Sequence, residues 1–187
     1  KKRLCILMKK IHTTGVQLMR DLENIGVPTS ILLLYRTHRG IAMTVMASEL
    51  LHGDILNLVK ENPRHEDIPR LIGEVFAAMR WLVRRQIVHE DLHLGNILLR
   101  SYHDGRLSAV IHDFGESTED RSPYEHTRDI YKFLDALITS IHSDYENIVI
   151  SARLSVDSFL QNSEPQEITQ DDMIVFLRRL QEGFSSI

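Results

Sequence analysis

Asp91, Asn96 and Asp113 are the residues whose types and spacing fit one piece of chemistry. They share the stretch Ile87 to Gly115, IVHEDLHLGNILLRSYHDGRLSAVIHDFG. A carboxylate beside an incoming hydroxyl can orient it and accept its proton. An Asn carbonyl and a second carboxylate are hard oxygen ligands. They suit Mg²⁺, which keeps several waters and bridges phosphates. The pattern therefore points to hydroxyl and phosphate chemistry, with His89 and His93 on either side of Asp91.

Bringing these residues together requires the chain between them to fold back. Two short apolar runs, Ile97-Leu98-Leu99 and Leu107 to Ile111, flank a polar turn containing Asp104-Gly105. Apolar runs around an Asp-Gly turn predict a β-hairpin. Its two ends then place Asp91, Asn96 and Asp113 at one mouth.

An acid, an Asn five residues later and an Asp-Phe-Gly triplet after a hairpin resemble the catalytic core of the protein-kinase-like superfamily. His89-Glu90-Asp91 resembles its His-Arg-Asp, and Asp91 to Asn96 its Asp-x-x-x-x-Asn. Asp113-Phe114-Gly115 is identical to its metal-binding triplet. The resemblance implies ATP and Mg²⁺ as cofactors. Asp91 would orient the acceptor hydroxyl, and Asn96 and Asp113 would hold the metal. His89 would pack beneath the loop and bond backbone. Glu90 replaces the Arg that couples this loop to a phosphorylated activation segment. Asp129 follows Asp113 too closely for such a segment, so the resemblance is to a compact, atypical kinase.

His93 stands where Ser/Thr kinases carry a Lys that steadies the γ-phosphate. It would serve either protonated or as a neutral N–H donor. His-x-Asp-Leu-His-x-Gly-Asn is similar to the loop of aminoglycoside and choline kinases, which take small-molecule acceptors. The short path from hinge to loop and the brief C-terminal remainder instead resemble secreted bacterial effector kinases. They leave little room for a dedicated substrate pocket, so the expected acceptor is Ser/Thr on a protein.

The resemblance extends upstream. Leu4 to Met8 reads as a buried strand, and Ile6 to Lys9 resembles the kinase Val-Ala-Ile-Lys, making Lys9 the phosphate-pairing lysine. Val16 to Ile25 reads as a helix stopped by Gly26-Val27-Pro28, with Glu23 the nominal partner of Lys9. Ile31 to Tyr35 and Ile41 to Met46 read as strands. Ala47 to Leu51 would be the hinge, so Met46 and Ala47 are adenine-contact candidates. Asp54 is an ordinary N-cap residue, and by resemblance also a ribose contact. Ile68 to Arg85 has the clearest helical periodicity, with apolar residues from Ile68 to Val83. Asp129 opens a further helix, whose Asp in kinases holds the catalytic-loop backbone. Helices over Tyr145 to Gln161 and Asp171 to Leu180 follow, the last with a capping sequence at Thr169 to Asp172.

The expected fold is α+β and two-lobed: residues 1–51 as a small antiparallel sheet lobe and hinge, residues 52–187 as a mainly helical lobe. The chain opens at the lysine strand, so the Gly-rich loop that covers phosphates in kinases would lie outside it, and the small lobe reads as truncated. Lys and Arg number 22 against 26 Asp and Glu. No basic or aromatic-rich stripe points to nucleic acid, and no apolar run reaches membrane-span length. Cys5 is the sole cysteine, which points to a reducing, cytoplasmic compartment, or to a host cytosol for a secreted effector. Rival readings are a small-molecule kinase, an inactive pseudokinase acting as a binding module, and a kinase fold using ATP for another transfer.

Overall fold

The structure is a computed structural model that describes residues 31–36, 42–47, 51, 53–119, 122–141 and 143–185. The chain forms two compact units, Lys1–Leu50 and Leu51–Ile187. The expected strand at Leu4 to Met8, the helix at Val16 to Ile25, Lys9 and Glu23 lie outside the described residues.

In the first unit, β1 (Ile31–Arg36) pairs antiparallel with β2 (Ala42–Ala47). Met46 lies opposite Leu32, and Ala47 lies opposite Ile31. This corrects the sequence reading by one residue: Ala47 closes the strand rather than opening the hinge. Its backbone completes the ladder with Ile31, and a small residue at a strand end carries no signal to mark the boundary.

The second unit is built around two helices and a hairpin. Strand β3 (Gly53–Asp54) leads into α1 (Ile55–Glu61). Helix α2 (Ile68–Arg84) follows, and β4 (Ile87–Val88) enters the loop. The hairpin is β5 (Ile97–Ser101) and β6 (Leu107–Ile111), in register Ile97 to Ile111 through Ser101 to Leu107. Gly105 turns it at φ +84°, which glycine adopts without steric cost. A two-residue strand, β7 (Thr118–Glu119), pairs back with β4. Then come α3 (His126–Ser140), α4 (Ser143–Gln161) and α5 (Gln170–Ser185). Helix α3 starts three residues before Asp129, because His126 and Thr127 are buried and the Thr127 hydroxyl bonds the Tyr124 carbonyl at 2.6 Å.

The fold is α+β, with small antiparallel sheets toward the N-terminus and a helical C-terminal part, as the resemblance implies. Every apolar residue on the predicted face of α2 is buried. Phe76 lies edge-on to Phe133 of α3 and also meets Phe184 of α5, with ring centroids 5.7 Å apart in each pair. Helix α2 also secures the outer strand of the hairpin. Glu74 accepts the Ala109 N–H at 2.7 Å, and Arg70 donates to the Leu107 carbonyl at 2.8 Å. These side chains satisfy backbone groups that the edge strand β6 would otherwise leave open. The site-bearing hairpin is thus bonded directly to the best-buried helix.

Candidate active site

The loop between β4 and β5 is fixed from beneath. His89 is fully buried, and its backbone N–H donates to Asp129 of α3 at 2.7 Å. The His89 ring nitrogen Nε2 donates to the His112 carbonyl at 2.9 Å, and the ring packs on Phe114 at 4.8 Å. That bond places the ring proton on Nε2. Burial lowers the proton affinity of His89 and keeps it neutral. Leu92 and Leu94 point the same way, at 0% and 2% exposure.

Asp129 is only 1% exposed. Burial pushes its carboxyl up to about 6, while the hydrogen bond from His89 pulls the other way. Its second oxygen and the His89 Nδ1 are buried without hydrogen-bond partners among the described residues.

The polar side chains lie on the opposite side. Side-chain exposure is 52% for Asp91 and 48% for His93. The hairpin sets Asn96 beside the Asp-Phe-Gly triplet, because the His112 N–H donates to the Asn96 carbonyl at 2.8 Å. The Asn96 amide nitrogen donates to the Asp91 backbone oxygen at 3.0 Å and contacts its carboxylate Oδ2 at 3.4 Å. That commits the Asn96 amide nitrogen to Asp91, and the side-chain oxygen has no hydrogen-bond partner among the described residues. Asp113 is exposed; one carboxylate oxygen accepts the Gly115 N–H at 3.3 Å, and the other has no hydrogen-bond partner among the described residues. Asp113 and Glu90 hold left-handed backbone conformations, φ +60° and +67°. Such strain persists only where the surroundings enforce it.

The structure therefore brings together Asp91, His93, Asn96 and Asp113. Asp54 lies at the start of α1, opposite Leu98 of β5. Both its oxygens are engaged by Asn57, on the backbone N–H at 2.8 Å and on the side-chain amide at 3.0 Å, so it is an N-cap. Met46 and Ala47 lie in the other unit.

Several supporting groups escaped the sequence reading. Glu90 accepts from Thr118 at 3.1 Å and pairs with Arg128 at 3.5 Å, and Lys132 donates to the Glu90 carbonyl. Glu90 therefore joins the loop to β7 and α3 in place of the coupling arginine. Only the Asp129 helix resemblance pointed toward this region; nothing in the local pattern marks Thr118 or Lys132.

The sequence profile of the phosphotransferase enzyme family matches residues 17–120, more than half of the chain. The chain belongs to this family. It is the aminoglycoside and choline kinase type within the protein-kinase-like superfamily. The matched region ends just after β7, so it contains the whole loop and hairpin, while the Asp129 helix lies beyond it. No curated protein matches the chain.

Proposed function

We propose that this phosphotransferase moves the γ-phosphoryl group of ATP to an alcohol, with Asp91 orienting the hydroxyl and taking its proton. The observation that carries this reading is the convergence of Asp91, Asn96 and Asp113 at one open mouth of the hairpin. The acceptor oxygen forms the new P–O bond, the β–γ bridging bond of ATP breaks, and ADP leaves with that electron pair. The acceptor's proton passes to Asp91.

The donor set fits Mg²⁺. Among the described residues, Asn96 and Asp113 each have a side-chain oxygen without a hydrogen-bond partner. Among the described residues no three His, Cys, Asp or Glu side chains are grouped to hold a metal alone. Two protein oxygens completed by phosphate and water are a usual arrangement for this ion. When bound, Mg²⁺ would neutralise charge on the phosphates. Lys9 would pair with those phosphates and Glu23 with Lys9, Met46 and Ala47 would meet the adenine, and Asp54 would reach the ribose; these four contacts rest on resemblance alone. Positioning and charge neutralisation suffice, since phosphoryl transfer asks little covalent chemistry of the protein.

For the acceptor, the open Asp91 carboxylate favours a Ser/Thr hydroxyl presented on a protein surface. A small-molecule alcohol is the second reading, favoured by the family type and by His93 and Gly95 in the loop. The test is transfer of γ-labelled phosphate from Mg-ATP by the full-length protein, offered a cell lysate, generic proteins, choline and aminoglycosides. Label in protein that disappears in Asp91→Ala and Asp113→Ala supports the first acceptor. Label confined to a small alcohol supports the second. No label in any acceptor, with no nucleotide-induced thermal shift, overturns the enzyme reading and leaves a binding module.

A further inference from the structure

We propose that Gly95 is a positioning residue, locking His93 as a neutral imidazole whose Nε2–H faces Asp91 and can donate to the phosphoryl group in transit. This deepens, and rests on, the phosphotransfer reading above.

The sequence leaves His93 two ways to act, as a cation or as a neutral donor. The loop geometry selects one. His93 is extended, φ −140° and ψ 171°, and caps the short 3₁₀ turn Leu94–Asn96. Its Nδ1 accepts the Gly95 backbone N–H at 3.1 Å. A nitrogen that accepts a hydrogen bond cannot also carry the proton, so the neutral ring is protonated at Nε2. That nitrogen lies 3.7 Å from Asp91 Oδ2. The distance exceeds a direct hydrogen bond, so the N–H is aimed at the reacting region without being consumed there.

Glycine leaves this ring position uncrowded. A Cβ at residue 95 would stand 3.0 Å from His93 Cε1 and 3.2 Å from Nδ1. Both are tighter than ordinary carbon contacts, so the ring would have to give by a few tenths of an ångström, which loosens its fit on the backbone N–H that fixes it. The arrangement also sorts the two oxygens of Asp91. Oδ2 faces both Nε2 of His93 and the Asn96 amide at 3.4 Å. Among the described residues nothing bonds Oδ1, which leaves it as the oxygen for the acceptor hydroxyl.

The test pairs a spectroscopic readout with a double-mutant cycle on the full-length protein. Long-range ¹⁵N–¹H correlation of labelled histidine, assigned with His93→Gln, should show residue 93 in the Nε2–H form. In Gly95→Ala the two tautomers should mix. In turnover, Gly95→Ala should lower kcat about 10- to 100-fold while KM for ATP stays within about twofold. The same change should have no further effect in a His93→Ala background. His93→Gln, whose amide N–H falls near the Nε2 position, should keep most activity; His93→Asn, which places it near Nδ1, should not. A proton on Nδ1 in the unaltered protein overturns the proposal. So does a Gly95→Ala loss that is undiminished without His93. Absent turnover with His93 still in the Nε2–H form would overturn the phosphotransfer reading instead and leave the positioning by Gly95 standing.

Discussion

The loop from His89 to Asn96 has two sides that follow different rules. Beneath, His89, Leu92 and Leu94 are buried against the Asp129 helix and the hairpin, and His89 and Asp129 are joined by a 2.7 Å hydrogen bond. Above, Asp91 and His93 are about half exposed, and the side-chain contacts of the Asp91 carboxylate lie at 3.4–3.7 Å. Alternate residues of one short segment are thus divided between the core and the open side, where the proposed chemistry would act. A site that must exchange ligands leaves its reacting groups underused in the free protein, and the rigidity they need comes from below.

The sharpest way to break that contrast is Asp91→Ala. If the upper side is purely chemical, phosphoryl transfer should fall by about 10²- to 10⁴-fold, the range for losing a positioned base. Stability should stay within about 0.5 kcal/mol, as for other exposed positions. Initial rates and urea denaturation of the same preparation measure both. Leu92→Ala is the mirror image. It removes a fully buried side chain and should cost about 2–5 kcal/mol of stability. Residual activity per folded molecule should fall only as far as the loop loosens. If Leu92→Ala left the midpoint unchanged, the underside would not anchor the loop.

How legible this was depended on pattern length. The hairpin could be read because Asp104-Gly105 separates two apolar runs, and α2 because its apolar residues recur over more than four turns. The β4–β7 pair could not be read. Two residues on each side carry no period, and the pairing exists because the hairpin and α3 bring Ile87-Val88 and Thr118-Glu119 together. The start of α3 was misplaced for a related reason. His126 and Thr127 look like loop residues, yet both are buried by the tertiary fold. At the candidate site, the placement of Asp91, Asn96 and Asp113 at the ends of the hairpin was legible from their spacing. The role of Gly95 was not, because it depends on a ring contact that spacing cannot express.

Acid titration sharpens the comparison at intermediate magnitude. The folded Asp129 carboxyl is raised to about 6 from 3.8. Between those values the native state binds more protons than the unfolded chain. This group therefore favours the native state at low pH, and its contribution is lost as pH rises through about 6. The difference amounts to about 2–3 kcal/mol at most. His89 acts oppositely: its lowered affinity makes the unfolded chain the better proton binder, so its contribution falls as pH drops below its ordinary range. Asp129→Asn keeps an acceptor for the His89 N–H and removes the titration. Subtracting its denaturation free energies from those of the unaltered protein, from pH 4 to 8, should give a difference that favours the Asn variant increasingly as pH rises to about 6 and then levels. A flat difference would mean that the carboxylate is solvated and that the underside is wetter than its 1% exposure implies.

The smallest effect bears on which residues of the helical unit belong to the open side at all. Asp54 caps α1 with both oxygens already engaged by Asn57. As a cap alone, Asp54→Ala should lower stability by about 1 kcal/mol, and Asp54→Ser, which can still bond the backbone N–H, should recover most of it. KM for ATP should then be unchanged in both variants. A ribose contact predicts a different split. Both substitutions would raise KM, and Ser would repair stability without repairing nucleotide binding, since a shorter hydroxyl cannot cap and reach outward together. Thermal denaturation alongside ATP titration of the two variants separates the cases. A KM shift that persists in Asp54→Ser would move this residue from the framework to the nucleotide, and would extend the chemically active side beyond the loop and hairpin to the first turn of α1.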